Sequence, residues 1–148
     1  WLAFSVFAVD QLSKWWMIEI YRMEDKGRVA VTSFLDIVYV INPGVSYGLF
    51  EQSTARGQWF LAGFAALIAL GITVWLARTS SRLVATSLAL ILGGALANAL
   101  DRIFRGGVAD FFSLHANGFY WYIYNIADVA ITLGVIGLIV ATLRPTAK

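Results

Sequence analysis

Asp110 and Asp128 are the side chains in this sequence whose types and positions point most directly to chemistry. From Phe111 to Leu143 the only formally charged residue is Asp128, which heads an apolar run after Tyr124-Asn125-Ile126-Ala127. Asp110 stands just ahead of that stretch, in Gly106-Gly107-Val108-Ala109-Asp110. An ionisable group at membrane depth is costly and marks a functional position by default. Two carboxyl groups that meet share a proton, because both cannot ionise at close range. One can then activate water as a base while the other protonates a leaving group. The structural alternative is one Asp as a helix cap and the other as the partner of an arginine.

Polar residues at helical spacing surround the two acids in the sequence. Asn98 and Arg102 lie at i, i+4 and share a helix face, as do Asn125 and Asp128 at i, i+3. A face of amide, guanidinium and carboxylate groups can hold a carbonyl or a peptide backbone. The alternative makes the asparagines interhelical glue and Asp101 and Arg102 interfacial anchors. Asp10 and Lys14, again at i, i+4, read either as a self-neutralising pair or as a support for a neighbouring functional loop. Asn42-Pro43-Gly44 is a turn signal, and the glycine also permits close approach of a ligand to the backbone. His115 reads as a loop residue without chemistry, and Glu19, Asp36 and Glu51 as solvated or interfacial groups.

The elements that must position these residues are apolar. Of 148 residues 59% are hydrophobic and 14% charged, and the mean hydropathy is +0.73. A typical soluble domain carries about 25% charged residues, so this composition describes an integral membrane protein forming one domain over residues 1–148. Four stretches can span, at about Trp1 to Tyr21, Gly57 to Ala77, Leu83 to Arg102 and Tyr124 to Leu143, the last three each near the roughly 20 residues a bilayer core requires. The native first helix is expected to begin upstream of Trp1, and Asp10 and Lys14 argue against reading it as a cleavable signal peptide.

Cysteine is absent, which excludes disulfides, thiolate metal sites and a cysteine nucleophile. With one histidine and no compact carboxylate cluster, no metal and no cofactor is expected. The net charge of +2 without a dense basic run excludes a nucleic-acid face.

Basic residues set the expected orientation. Arg78-Thr-Ser-Ser-Arg82 and the tail with Arg144 and Lys148 lie on the cytoplasmic side, which places both termini inside. The connections from Arg22 to Arg56 and from the third to the fourth helix then face outward, with Asp110 and Asp128 at the same outer level. Trp15, Trp16, Trp59, Trp75 and the run Tyr120-Trp121-Tyr122 fit interfacial aromatic belts. Val29 to Ile41 is rich in β-branched and aromatic residues and predicts a small β element on the outer face. The segment from Phe111 to Tyr124 reads as a return connection into the fourth helix.

Four segments in this order resemble the bacterial lipoprotein signal peptidases, or signal peptidase II. They are Asp10-Gln-Leu-Ser-Lys14, Asn42-Pro-Gly-Val-Ser-Tyr-Gly48, Gly93 to Arg102 continuing through Gly107-Val-Ala-Asp110, and Asn125-Ile-Ala-Asp128. The resemblance covers essentially the whole chain. It implies a membrane aspartic endopeptidase of the inner membrane that cuts prolipoproteins on the N-terminal side of a lipid-modified cysteine. By motif, Asp110 and Asp128 would be the catalytic pair. Asn42, Asn98, Arg102 and Asn125 would contact or position substrate. Asp10, Lys14 and Asp101, with Gly44 and Gly107, would be structural supports. The family also implies an outer β-cradle, a helical flap around Phe50 to Arg56, contact with membrane lipid, and inhibition by globomycin. Ala97, Ser46-Tyr47 and Tyr124 depart from the usual family residues while leaving every polar position intact.

Two other classes fit the composition. A small proton-coupled carrier would use the two acids as relays, although no paired broken helices point to alternating access. A structural membrane subunit would need neither.

Overall fold

The computed structural model describes residues 1–44 and 54–143. Helix α1 (Leu2–Trp15) runs into a π-helical turn at Trp16–Ile20, followed by the short α2 (Met23–Lys26). Strands β1 (Val29–Ala30) and β2 (Leu35–Asn42) precede the long helices α3 (Ala55–Arg78) and α4 (Arg82–Arg105). A hairpin of β3 (Val108–Ala116) and β4 (Phe119–Tyr124) then leads into α5 (Ile126–Leu143). The four strands form one antiparallel sheet in chain order.

Local chemistry explains the element ends. Thr54 and Ser81 cap α3 and α4, their hydroxyls accepting the N–H groups of Gly57 and Val84. Gly106, at φ 72°, closes α4 in the left-handed region and turns the chain into β3. Asn117 and Gly118, both at positive φ, make the two-residue turn between β3 and β4, the Asn-Gly pairing that matches strand twist.

Helix α4 is the hub, packed against α1, α3 and α5. Its small residues make this possible. A Cβ on Gly94 would lie 2.6 Å from the Ala127 carbonyl oxygen and 2.8 Å from Ile131 of α5. A Cβ on Gly134 of α5 would likewise lie 2.6 Å from the Ser87 carbonyl oxygen of α4. Small residues let helix backbones approach where lipid gives no hydrophobic drive to associate. Among the described residues, α3, α4 and α5 are long and apolar enough to cross a membrane, with mean hydropathies of 2.3, 1.9 and 2.3. Their outward positions, such as Phe60, Phe64, Leu67, Leu133 and Ile136, are exposed, a surface suited to hydrocarbon.

The structure corrects several sequence expectations. The β element is larger than Val29 to Ile41 and draws half its strands from the α4–α5 connection, so the return from Phe111 to Tyr124 is itself part of the sheet. The last helix begins at Ile126, since Tyr124 belongs to β4. Asp36 is buried, accepting from Arg28 at 2.7 Å and paired with the His115 ring at 3.1 Å. Those two residues strap β2 to β3 and are neither solvated nor in a loop. Most of the expected flap, Phe50 to Arg56, lies outside the described residues; Ala55 and Arg56 open α3.

Candidate active site

Each carboxyl group is delivered by a different element. Asp128 is the third residue of α5, and Asn125 is its N-cap. The Asn125 side chain accepts the Asp128 N–H at 3.0 Å, while Asp128 Oδ2 accepts the Asn125 N–H at 3.2 Å. This reciprocal pair is a capping box, so one local device starts the helix and orients the carboxylate. Asp110 lies on β3, fully buried. Asn42, at the end of β2, pairs across the ladder with Val108, which puts its side chain beside Asp110.

The amides tie the acids together. Asn125 Nδ2 donates to Asp110 Oδ1 at 2.6 Å and to Asn98 Oδ1 at 3.2 Å. Asn98 Nδ2 donates to Asp128 Oδ1 at 2.9 Å. Asn42 Nδ2 donates to Asp110 Oδ2 at 3.2 Å and to the Tyr122 hydroxyl at 3.0 Å, while its Oδ1 accepts the Gly44 N–H at 3.0 Å. Asn125 thus makes hydrogen bonds to both aspartates, through its side chain to one and through its side chain and backbone to the other. Burial first, and then the charge of Asp128, push the Asp110 carboxyl up to about 7. A carboxyl group in that range can hold a proton at neutral pH, as a carboxylate pair requires.

Beneath this layer lies a buried ionic one. Lys14 Nζ reaches Asp10 at 2.8 Å, Asp101 at 2.7 Å and Asn98 Oδ1 at 3.1 Å. Its three donors are therefore satisfied, and the expected Asp10–Lys14 pair is extended by Asp101 from α4. Gln11 adds a donor to Asp101 at 3.0 Å. Asp101 is therefore buried in this layer and is no interfacial anchor.

Arg102 donates to the Asn98 carbonyl at 3.1 Å and the Gly44 carbonyl at 2.9 Å. Its buried Nε has no partner among the described residues. Together with Asn42, Asn98 and Asp128 it lines a cavity of about 300 Å³ whose other walls include Leu61, Phe64 and Ile131. Gly107 lies so close to the Asn42 carbonyl that a Cβ there would sit 2.9 Å from it.

Two further residues, Gln58 and Tyr122, belong to this neighbourhood. Gln58 donates to the Pro43 carbonyl at 2.5 Å and tethers the Asn42-Pro43-Gly44 turn to α3; a lone amide in a charge-free apolar stretch was its signal. Tyr122, in sequence part of an aromatic run, is partly buried on β4 and meets Asn42 with its hydroxyl, a contact that depends on the β2–β3–β4 order of the sheet. The site as built joins two buried carboxyl groups through the Asn125 and Asn98 amides, with a guanidinium group and an apolar wall beside them, an arrangement able to serve acid–base chemistry.

A family model described as Signal peptidase (SPase) II matches residues 2–144. The chain belongs to the signal peptidase II family. It is 44% identical to the lipoprotein signal peptidase of Beijerinckia indica subsp. indica over 137 residues, covering 93% of this chain and 82% of that protein. The corresponding protein of Methylobacterium radiotolerans is 50% identical over 115 residues, 78% of this chain and 67% of the relative. A solved bacterial membrane enzyme, obtained by the in meso method at 2.3 Å resolution, matches with TM-score 0.83 at 25% identity, over 99% of this chain and 91% of that one. This family member is therefore an enzyme, a protease of lipoprotein processing, and the carrier reading loses its support.

Proposed function

We propose that this signal peptidase II cuts diacylglyceryl-modified prolipoproteins N-terminal to the lipidated cysteine, with Asp110 and Asp128 as its general acid–base pair. The observation that carries this reading is Asn125 bonded to both carboxyl groups. In this mechanism ionised Asp128 takes a proton from water as the water oxygen bonds to the scissile carbonyl carbon. Asp110, holding the other proton, donates to the carbonyl oxygen. As the tetrahedral intermediate collapses, the C–N bond breaks, Asp128 gives the proton it took from water to the leaving nitrogen, and Asp110 recovers its own from the diol oxygen as the carboxyl product forms. Burial and the neighbouring charge raise the Asp110 carboxyl to about 7, which supports a proton held within the pair at rest, and the pair titrates as a unit. Asn42, Asn98, Asn125 and Arg102 hold the peptide backbone, with the unpartnered Nε of Arg102 available to a substrate carbonyl. Asp10, Lys14, Asp101, Gly44 and Gly107 support them, and the mechanism needs no metal and no cofactor.

The same reading has four spans in one domain over residues 1–148, both termini cytoplasmic, and the site at the outer face of the bacterial inner membrane. There the acyl chains of the substrate stay in lipid while the peptide bond reaches the acids, and globomycin competes for the same place. A mobility-shift assay with lipidated prolipoprotein tests it. Asp110→Asn and Asp128→Asn each lower cleavage by at least about 10²-fold with the protein still folded, and globomycin stops the wild type. Normal cleavage by either variant would refute the acid–base assignment.

A further inference from the structure

Tyr122 connects the Asp110 clamp with three cavities beside the two acids. Its hydroxyl accepts the Asn42 Nδ2–H at 3.0 Å, and the same amide nitrogen donates to Asp110 Oδ2 at 3.2 Å. Asn42 Oδ1 is engaged by the Gly44 N–H, so the phenol fixes the remaining rotational freedom of this amide. Tyr122 also lines three spaces. One is the cavity of about 300 Å³ containing Asn98, Arg102 and Asp128. The second, about 570 Å³, runs along α5 past Asp128, with Trp121 and Leu133. The third, about 220 Å³, opens over Asp110 beside Val40 and Pro43. Tyr122 lines all three, while Asp128 lines only the first two and Asp110 only the third. Its neighbours in the aromatic run differ: Tyr120 and Trp121 are more than half exposed.

We infer that Tyr122 is a positioning and specificity-determining residue for signal-peptide cleavage, holding Asn42 against Asp110 through its hydroxyl and dividing the substrate path on the two sides of the cut bond with its ring. This rests on the proposed acid pair. The hydroxyl and the ring make separable contributions. A neutral hydrogen bond contributes modestly, so its removal slows the chemical step without ejecting the substrate. The ring limits the size of the residues that flank the cut bond.

Steady-state cleavage of synthetic lipidated prolipoproteins by the full chain in detergent separates these roles. In Tyr122→Phe, kcat falls about 5- to 10-fold with KM within about twofold. The alkaline limb of its pH profile moves upward, because Asn42 then stabilises ionised Asp110 less well. Tyr122→Ala additionally loses discrimination between glycine and leucine beside the cut bond, which Tyr122→Phe retains. Thermal unfolding of Tyr122→Phe within a few degrees of wild type shows that the fold is intact. Wild-type kcat and pH profile in Tyr122→Phe, with Asp110→Asn inactive, would overturn the Tyr122 inference alone. Activity in Asp110→Asn would overturn the acid pair itself.

Discussion

Asp10 accepts the backbone N–H of Ala127 at 2.9 Å, 117 residues further along the chain. Asp101 does the same for Ala109 at 3.1 Å. Each of those amides belongs to the residue immediately before one of the two proposed catalytic acids. Lys14 binds both supporting carboxylates. The strand that carries Asp110 and the helix that carries Asp128 are thus referenced to a common buried cation, which couples stability of the bundle to geometry of the site.

Lys14→Met leaves Asp10 and Asp101 buried without their cation. Breaking a buried pair in this way costs about 3–5 kcal/mol. Thermal unfolding in detergent is expected to show a large fall, together with loss of cleavage. The triple variant Asp10→Asn, Lys14→Met, Asp101→Asn recovers a substantial part of the stability, since no uncompensated charge remains. Equal stability of Lys14→Met and wild type would contradict this account.

Asn125→Ala removes the N-cap of α5 and the amide shared with Asp110. The cap contributes about 1 kcal/mol, a modest loss. Cleavage falls much further, by about 10²-fold or more, because the Asp110 carboxyl loses its 2.6 Å amide donor and Asp128 loses the cap on its backbone N–H. Parallel measurement of unfolding and kcat distinguishes this pattern from simple destabilisation.

The raised position of Asp110 has a pH signature. Burial and the Asp128 charge favour its protonated form in the folded protein, at about 7 against an ordinary 3.8. The resulting stabilisation is complete below pH ~4 and disappears as pH rises through about 7, with a limit on the order of 4 kcal/mol. Asp110→Asn cannot ionise, so it lacks this decline and is more stable than wild type at pH 8. Wild-type kcat/KM also falls as pH climbs above about 7, when the pair loses its shared proton. Stability curves for the two proteins between pH 4 and 8 provide the check.

Asp36 behaves in the opposite sense. The hydrogen bond from Arg28 first, and that from His115 next, hold its carboxyl below the ordinary 3.8. The stabilisation is present above pH ~4 and lost on further acidification. Asp36→Asn is less stable than wild type at pH 7, and the difference narrows as pH falls below 4. Cleavage of lipidated substrate by this variant at pH 7 reports whether the β2–β3 strap also holds Asn42 in place.

Gly94→Ala drives a methyl group into the Ala127 carbonyl and Ile131, at 2.6 and 2.8 Å. Overpacking of this kind costs roughly 1–3 kcal/mol. It also moves α4 away from α5, separating Asn98 from Asp128. Lower thermal stability with a larger loss of kcat is expected; Gly63→Ala on α3, where the Cβ would meet nothing within 4 Å, is the matched control.

Much was legible in the sequence because the signals were local. Long apolar runs marked α3, α4 and α5 in advance, since a bilayer admits few other structures for them. The positions of the polar residues also stood out, because each is conspicuous in an apolar segment. Asn117-Gly118 carried a hairpin signal that would have revealed β3 and β4, but the aromatic residues after it were equally compatible with a membrane interface. Asp36 and His115 could not be paired in advance, because their approach depends on strand register across a sheet whose second half went unrecognised.

The amino-acid sequence by itself determined that two acids stand where charge is expensive, within reach of amides and a guanidinium group. Only the tertiary structure decided which partners they take. Asn125 reaches Asp110 because a strand and a helix cap converge over a buried lysine, and Tyr122 meets Asn42 because the sheet sets β2 and β4 on either side of β3. Those contacts join residues from separate elements, and helical spacing, capping signals and composition describe only one element at a time.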